Sequence, residues 1–421
     1  MLIISLCLPI IGFGQGWENT FDKIGDYDVG NSIQQTSDGG YIIAGDTYFG
    51  LQKYYNSDIY LIKIDANGNK LWDKTFGDSG FDNSYSVQQT TDGGYIIAGG
   101  TTSFTNGDYD VYLVKTDANG NELWNKTFGS SGEDMGRSVQ QTTDSGYIIT
   151  GFTDGNCSDE VYLVKTDVNG NEIWNKTFGG TGFDEGYSVQ QTNDGGYIIS
   201  GKTLYFDDYN VYLIKTDSNG NELWNKTFGG FQEDVGNSIQ QTSDGGYIIT
   251  GSTLSFGNGG IDVYLIKTDS NGNELWNKTF GGIQEDVGKS VQQTSDGGYI
   301  IAGGTKSSGN GDYDVYLVKT DANGNELWNK TFGGVWEDMG NSVQQTTDSG
   351  YIIVGLNFDD VYVIKTDGNG NITSTFNIHI NPNRKIEKTV DIIGKETKVK
   401  KNEPLLYLYD DGTVEKRITI E

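Results

Sequence analysis

Seven aspartates recur at matching places along the 421 residues: Asp28, Asp82, Asp134, Asp184, Asp234, Asp286 and Asp338, most followed two residues later by glycine. Carboxylates repeated around a closed fold would form a ring, and such a ring is a donor set for Ca²⁺ or another hard cation. The competing use is local. An Asp just before a strand accepts backbone N–H groups and caps its own turn, and presence in every copy favours that use. Four of the seven follow a glutamate, at Glu133, Glu233, Glu285 and Glu337, so the same stretches offer the paired carboxylates of glycoside hydrolysis. No other catalytic set is available. The single histidine, His379, lies outside the repeated region, which removes Ser-His-Asp, Cys-His and histidine-ligated metal chemistry from it.

A second set is aromatic and lies in the most variable stretches. It comprises Tyr48, Phe49, Tyr54, Tyr55, Phe104, Tyr109, Tyr205, Phe206, Tyr209, Phe256, Tyr313 and Phe358, with Phe81, Phe183, Phe231 and Trp336 in a neighbouring set of turns. Rings standing among carboxylates and glycines can stack on sugars or grip a protein partner; their competing use is to pack beneath their own loops. The sequence requires no cofactor, and Ca²⁺ is the one ion its carboxylates would suit.

The elements that hold these residues follow from a repeat. Trp17, Trp72, Trp124, Trp174, Trp224, Trp276 and Trp328 recur every 50 to 55 residues inside one phrase: NELWNKTFGG, an acidic stretch, SVQQT, a DGG turn, YIIAG, a variable stretch, DVYLVKTD and an NGN turn. That period suits one propeller blade of four strands. In one copy the runs are Ser188–Thr192, Gly196–Ser200, Val211–Asp217 and Glu222–Phe228, here strands a, b, c and d. Asp194-Gly195-Gly196 and Asn219-Gly220-Asn221 supply tight hairpins. YIIAG and VYLIK are apolar on successive residues, so both faces of each sheet must be covered, as stacking blades does. No proline lies between Pro9 and Pro382, which fits paired strands throughout.

Runs a, b and c each occur seven times, whereas a Trp-bearing d run precedes the first a run. The expected fold is therefore all-β, a seven-bladed propeller of four-stranded antiparallel blades over residues 16–376. Trp17 to Phe21 completes the last blade and removes two open edges; the competitor for that place is Asn371 to Phe376. Each repeated Trp reads as inter-blade packing, with burial contributing on the order of 4 to 6 kcal/mol at most. The a–b and c–d turns fall on one rim and the d–a and b–c loops on the other. The second rim carries the variation, so it is the expected binding face.

The ends differ from the repeat. Residues 1–15, MLIISLCLPIIGFGQ, read as a secretory signal without a basic n-region, too short to span a bilayer. If they are removed, Cys157 is left alone and no internal disulfide forms. The net charge is −29; residues 377–421 carry nine Lys or Arg against eight Asp or Glu, so the remainder carries 20 against 50, a net of −30. Such a surface repels nucleic acid and anionic lipid, and leaves glycans, proteins and cations as partners.

Three resemblances bear on function. Thr36 to Tyr41, T-x-D-G-G-Y, is similar to the Asp-box hairpin of sialidase-like propellers, but Arg137 is the one arginine of the repeated region, so the clamp for a sugar carboxylate that the resemblance implies is missing. Trp in the outer strand is similar to quinoprotein propellers, yet the arginine-rich pocket and paired cysteines that would imply a quinone are absent. The tail, with IIGKE, YLYDDGTVEKR and terminal ITIE, resembles the type A sorting domain of the type IX secretion system in Bacteroidetes, and the propeller phrases resemble the repeat arrays of such cargo. Asn381-Pro382-Asn383 stands where that domain would begin, although the tail is short and has Leu405 to Tyr409 in place of the usual Gly-x-Tyr strand. The resemblance implies export across the outer membrane to a secreted or cell-surface location, with contact to the secretion machinery through 377–421.

Overall fold

A computed structural model describes residues 16–23, 27–49, 56–105, 108–155, 158–205, 208–372, 386–391, 397–398, 404–409 and 414–418. Contacts divide the chain into two units, Met1–Thr373 and Ser374–Glu421. The second contains a three-stranded antiparallel sheet of Ile386–Asp391, Pro404–Tyr409 and Val414–Ile418. Residues 1–15, read as a signal, lie outside the described residues. Among the described residues no helix is long and apolar enough to cross a membrane.

The first unit is seven four-stranded antiparallel sheets, blades I to VII in chain order. Blade I runs a, Tyr27–Gln35; b, Tyr41–Tyr48; c, Ser57–Ile64; d, Lys70–Phe76. Blades II to VI repeat this order. Blade VII has a, Asp338–Gln345, b, Tyr351–Asn357, and c, Asp360–Thr366, and takes Trp17–Phe21 as its d strand in register from Trp17 opposite Lys365 to Phe21 opposite Val361. The ring closes as the strand count requires.

Successive apolar residues serve two interfaces at once. In blade I, Ile43 packs in the core shared with blade VII and Ile42 in the core shared with blade II, and seven such clusters fill the seven interfaces. Every repeated Trp packs against the Tyr opening strand b of the next blade, the rings inclined by 57 to 67° and their centroids 5.9 to 6.2 Å apart. The Asn-Gly turn of that next blade closes over it. At Gly120 φ is +73° and an added Cβ would stand 2.6 Å from Trp72 Cζ3, so glycine is required there. The Trp residues are only partly buried, because strand d is the outer edge of each blade, whereas their Tyr partners are almost fully buried. The tryptophans therefore contribute less burial than full enclosure would give.

The SxQQ phrase closes the inner edge. Strand a is the last strand toward the axis and has no further strand to pair with, so its N–H groups need other acceptors. Neighbouring blades supply them. Gln89 N–H donates to Gln34 Oε1 at 2.6 Å, and the same bond recurs from Gln141 to Gln88 and on around to Gln35 and Gln344. Val87 N–H donates to Ser32 Oγ at 3.1 Å, again in every blade.

Strand a also starts earlier than the sequence pattern implies, at Asp184 and not Ser188 in blade IV. A β-bulge between Gly186 and Ser188 interrupts the alternation while the ladder with strand b continues on both sides of it. The repeated aspartates are consequently the first residues of strand a in blades II to VII, not residues preceding it.

Candidate functional site

The two rims differ in how their polar groups are spent. On the a–b and c–d rim the aspartate of each turn is matched by donors close to it in the same blade. Asp38 accepts from Thr36 Oγ1, Gly40 N–H and the buried Lys63 ammonium, whose Nζ lies 3.0 Å from Asp38 Oδ2. The arrangement repeats in all seven blades, from Lys63 to Lys365. Burial works to raise the Asp38 carboxyl, but the hydrogen bonds and the lysine charge hold it down to about 2. In the Asn-Gly turns Asp65 accepts from Asn67 N–H, Asn69 N–H and Asn69 Nδ2.

On the d–a and b–c rim the seven aspartates are buried, and each accepts a backbone N–H of its own turn. The donors are Lys23 for Asp28, Asp78 for Asp82, Ser130 for Asp134, Gly180 for Asp184, Gly230 for Asp234, Gly282 for Asp286 and Gly334 for Asp338, at 2.6 to 3.1 Å. Asp286 Oδ2 also accepts from Ser307 Oγ at 2.6 Å. These bonds are those of turn caps. Among the described residues no three His, Cys, Asp or Glu side chains gather at metal-binding range. Of the paired carboxylates, Asp134, Asp234, Asp286 and Asp338 are at most 1% exposed, away from any dissolved substrate. Some aspartates face a second carboxylate from strand c: burial first, then the charge of Asp82, pushes the Asp58 carboxyl up.

Several rim aromatics fold back onto the blades. Tyr48 lies edge-on to Tyr27 at 5.4 Å, whereas Phe104 meets Tyr112 at 5.5 Å and Phe256 meets Tyr264 at 5.6 Å in tilted pairs, and Tyr109 lies beside Phe81 at 6.5 Å. Lys23 Nζ lies 5.6 Å from the Phe49 ring and Lys202 Nζ 4.4 Å from that of Tyr209. Tyr313 donates to Glu285 Oε2 at 3.0 Å and carries Lys306 over its ring. Trp336 is 61% exposed and meets Phe358 at 5.1 Å. Tyr54, Tyr55, Phe206 and the Tyr205 side chain lie outside the described residues.

Sequence reasoning weighed aromatics and passed over two aliphatics. Phe231, Ile283 and Val335 occupy one position in three consecutive d–a loops and are 96%, 82% and 66% exposed. With Trp336 they form an apolar arc over blades IV to VII, each followed two residues later by a glutamate, Glu233, Glu285 or Glu337. Aligning the copies column by column would have shown the arc, since Ser79, Ser131 and Thr181 fill the same position in the three preceding loops.

The axis holds a second group that sequence reasoning missed. The residue at each bulge is Asn31, Tyr85, Arg137, Tyr187, Asn237, Lys289 or Asn341, and together the seven wall a cavity of about 360 Å³. The bulge turns this one side chain per blade toward the channel. Arg137 lies over the Tyr85 ring, its Cζ 4.3 Å from the centroid. Asp46 sits behind Asn31 and Ser84, accepting from Ser84 N–H at 2.6 Å and Asn31 Nδ2 at 2.9 Å; burial, working against those bonds, pushes its carboxyl up to about 7. The signal was a single variable column inside an otherwise constant strand.

Residues 53–252 match the PQQ_2 family, described as outer membrane protein assembly factor BamB, so from blade I into blade V the repeat is similar to that of BamB. No curated protein matches the chain closely enough to count as a relative. Among solved structures, a catalytically inactive virginiamycin B lyase from Staphylococcus aureus with quinupristin is 10% identical, with 83% of this chain and 99% of that chain covered and a TM-score of 0.50. Sqt1 from Chaetomium thermophilum is 13% identical over 82% and 97%, at 0.49. The Pan2 WD40 domain of Neurospora crassa is 11% identical over 80% and 89%, at 0.48. At such identities the likeness is one of fold, the propeller.

Proposed function

We propose that the chain is a non-enzymatic binding propeller that holds a protein partner on its d–a and b–c rim. The observation that carries this reading is the arc of Phe231, Ile283 and Val335, standing exposed at one loop position in three adjacent loops. Solvated apolar side chains grouped in this way are costly in a free protein and are covered in a complex. Aliphatics such as Ile283 and Val335 lack the flat ring face that stacks on a sugar, which favours protein over glycan for the arc. Of the glutamates behind these positions Glu285 already pairs with Lys306, and Glu233 and Glu337 suit a partner whose apolar segment is edged with Lys or Arg.

The test places a photo-crosslinking side chain at position 231, identifies the captured protein, and measures binding of that purified protein to the parent and to the triple variant Phe231→Ser, Ile283→Ser, Val335→Ser. Because the three side chains are exposed, stability should change by no more than about 0.5 kcal/mol. Affinity should fall at least tenfold, and the parent complex should weaken with salt. Unchanged affinity in the triple variant refutes the reading, and binding on a glycan array that is lost with Trp336→Ala supports glycan in its place. The burial of Asp134, Asp234, Asp286 and Asp338 counts against the carboxylate hydrolase alternative. The apolar residues 1–15 and the sorting-like tail support a secreted or cell-surface location reached by type IX export, for which retention inside the cell after deletion of 377–421 is the check.

A further inference from the structure

The mouth of the axial channel carries positive charge in a strongly acidic protein. Arg137 of blade III and Lys289 of blade VI enter one cavity from walls three blades apart. The ion pairs of the described residues involve neither of them. Arg137 Nε is buried with no hydrogen-bond partner. Desolvation at the channel mouth, and then the charge of Arg137, push the Lys289 ammonium down although the residue as a whole remains solvent-exposed, and Arg137 is relieved in part by the Tyr85 ring beneath it. The nearby Lys202 is already matched, its Nζ 2.9 Å from Glu185 Oε1.

The rest of the wall offers acceptors and ring faces. Asn31, Asn237 and Asn341 each spend an amide N–H on the backbone of the next blade, at Ser84 O (2.8 Å), Gly288 O (2.7 Å) and Gly30 O (3.0 Å). Their amide oxygens remain as acceptors, which call for hydroxyl donors on a ligand. Tyr85 and Tyr187 add aromatic rings to the wall, that of Tyr85 carrying Arg137 over one face, and such rings can pack on the C–H face of a sugar. The volume, about 360 Å³, lies at the small end of the roughly 300 to 1,000 Å³ typical of ligand sites.

We propose that this mouth binds a carboxylate-bearing sugar, a hexuronate unit, with Arg137 and Lys289 on the carboxylate, the asparagine oxygens on ring hydroxyls and a tyrosine against the ring. One arginine reinforced by one lysine is a binding device, not a hydrolytic one, since no carboxylate is among the residues that line the cavity. The site is separate from the apolar arc, and the two readings stand or fall independently.

Calorimetric titration of the full chain at low salt with glucuronate and galacturonate, against glucose, galactose and inorganic phosphate, tests the assignment. The expected result is binding of at least one uronate at least tenfold tighter than its neutral counterpart and than phosphate. Lys289→Gln should weaken uronate binding at least tenfold while leaving the melting temperature equal or higher, because removing that charge relieves repulsion. Arg137→Lys, which keeps the charge and loses the planar fork, should also weaken it. The triple arc variant should bind uronate as the parent does. Equal affinity for neutral sugar or for phosphate, absence of uronate binding, or uronate binding unchanged in Lys289→Gln overturns the proposal.

Discussion

Replacing Gln34 by Met removes one link of the inner polar ring while keeping the length and flexibility of the side chain. The amide oxygen lost accepts Gln89 N–H at 2.6 Å in a partly buried setting, on an edge where no strand replaces it. If the N–H is left unsatisfied the cost is about 1 to 3 kcal/mol; if channel water takes it over, about 0.5 to 1.5 kcal/mol. Unfolding entropy is about 2.1 cal/mol/K per residue, or about 0.7 kcal/mol/K for a propeller of roughly 350 residues. The melting temperature should therefore fall by about 1 to 4 °C. The internal control is Gln35→Met, whose oxygen accepts the exposed Thr347 N–H at 3.0 Å, where bulk water substitutes freely; its shift should stay under about 1 °C. Gln34→Met combined with Gln190→Met, which serves Gln241 N–H in a distant interface, should give the sum of the single shifts. Scanning calorimetry of the parent and the four variants, Gln190→Met alone among them, decides the matter. Equal shifts for Gln34→Met and Gln35→Met, or no shift for either, would refute the idea that the glutamines satisfy the inner edge.

Two further outcomes follow from the packing. Asp38, Asp244 and Asp296 are held at about 2, below the usual carboxylate value, so the stability they contribute is present above about pH 4 and is lost as pH falls through about 2. Denaturant midpoints at pH 5, 3 and 2 should decline, and Asp244→Asn should make the decline shallower; a parallel decline would disprove the link. Phe21→Ala and Phe128→Ala remove equally buried rings and should each destabilise by about 3 to 5 kcal/mol. The first should also speed proteolytic cleavage near residues 22 and 23, because its strand is tethered to the ring at one end only, whereas equal cleavage rates in the two variants would argue against closure through that strand.

Periodicity was legible because it is a property of composition along the chain. The tryptophans, the turn glycines and the doubly apolar b and c strands all report one requirement, that both faces of every sheet be covered. What stayed hidden depends on geometry across blades. SxQQ reads as an ordinary strand until the neighbouring inner edge is placed beside it. Arg137 reads as a stray cation, too isolated for a sugar clamp, until the bulges bring Lys289, some 150 residues later, into the same cavity. The aspartates drew attention as potential ligands because a repeated carboxylate is conspicuous in sequence, whereas the N–H groups that occupy them are invisible there. The aliphatic arc was overlooked because single Ile and Val residues in loops carry no motif.

The two ends of the axial channel solve opposite problems with the same strand. Toward the a–b rim, Ser and Gln are constant in all seven copies, since each must satisfy its neighbour and a substitution in one blade leaves a donor stranded in the next. Toward the d–a rim the bulge frees one residue per blade from the ladder, and that column holds three asparagines, two tyrosines, an arginine and a lysine. Ser and Gln bridge every pair of blades, while the bulge position bonds the backbone of the next blade in three copies, through Asn31, Asn237 and Asn341, and is left freer to differ from blade to blade. In a chain whose copies are otherwise near-identical, a column that varies without loosening the ring is where binding specificity has room to reside.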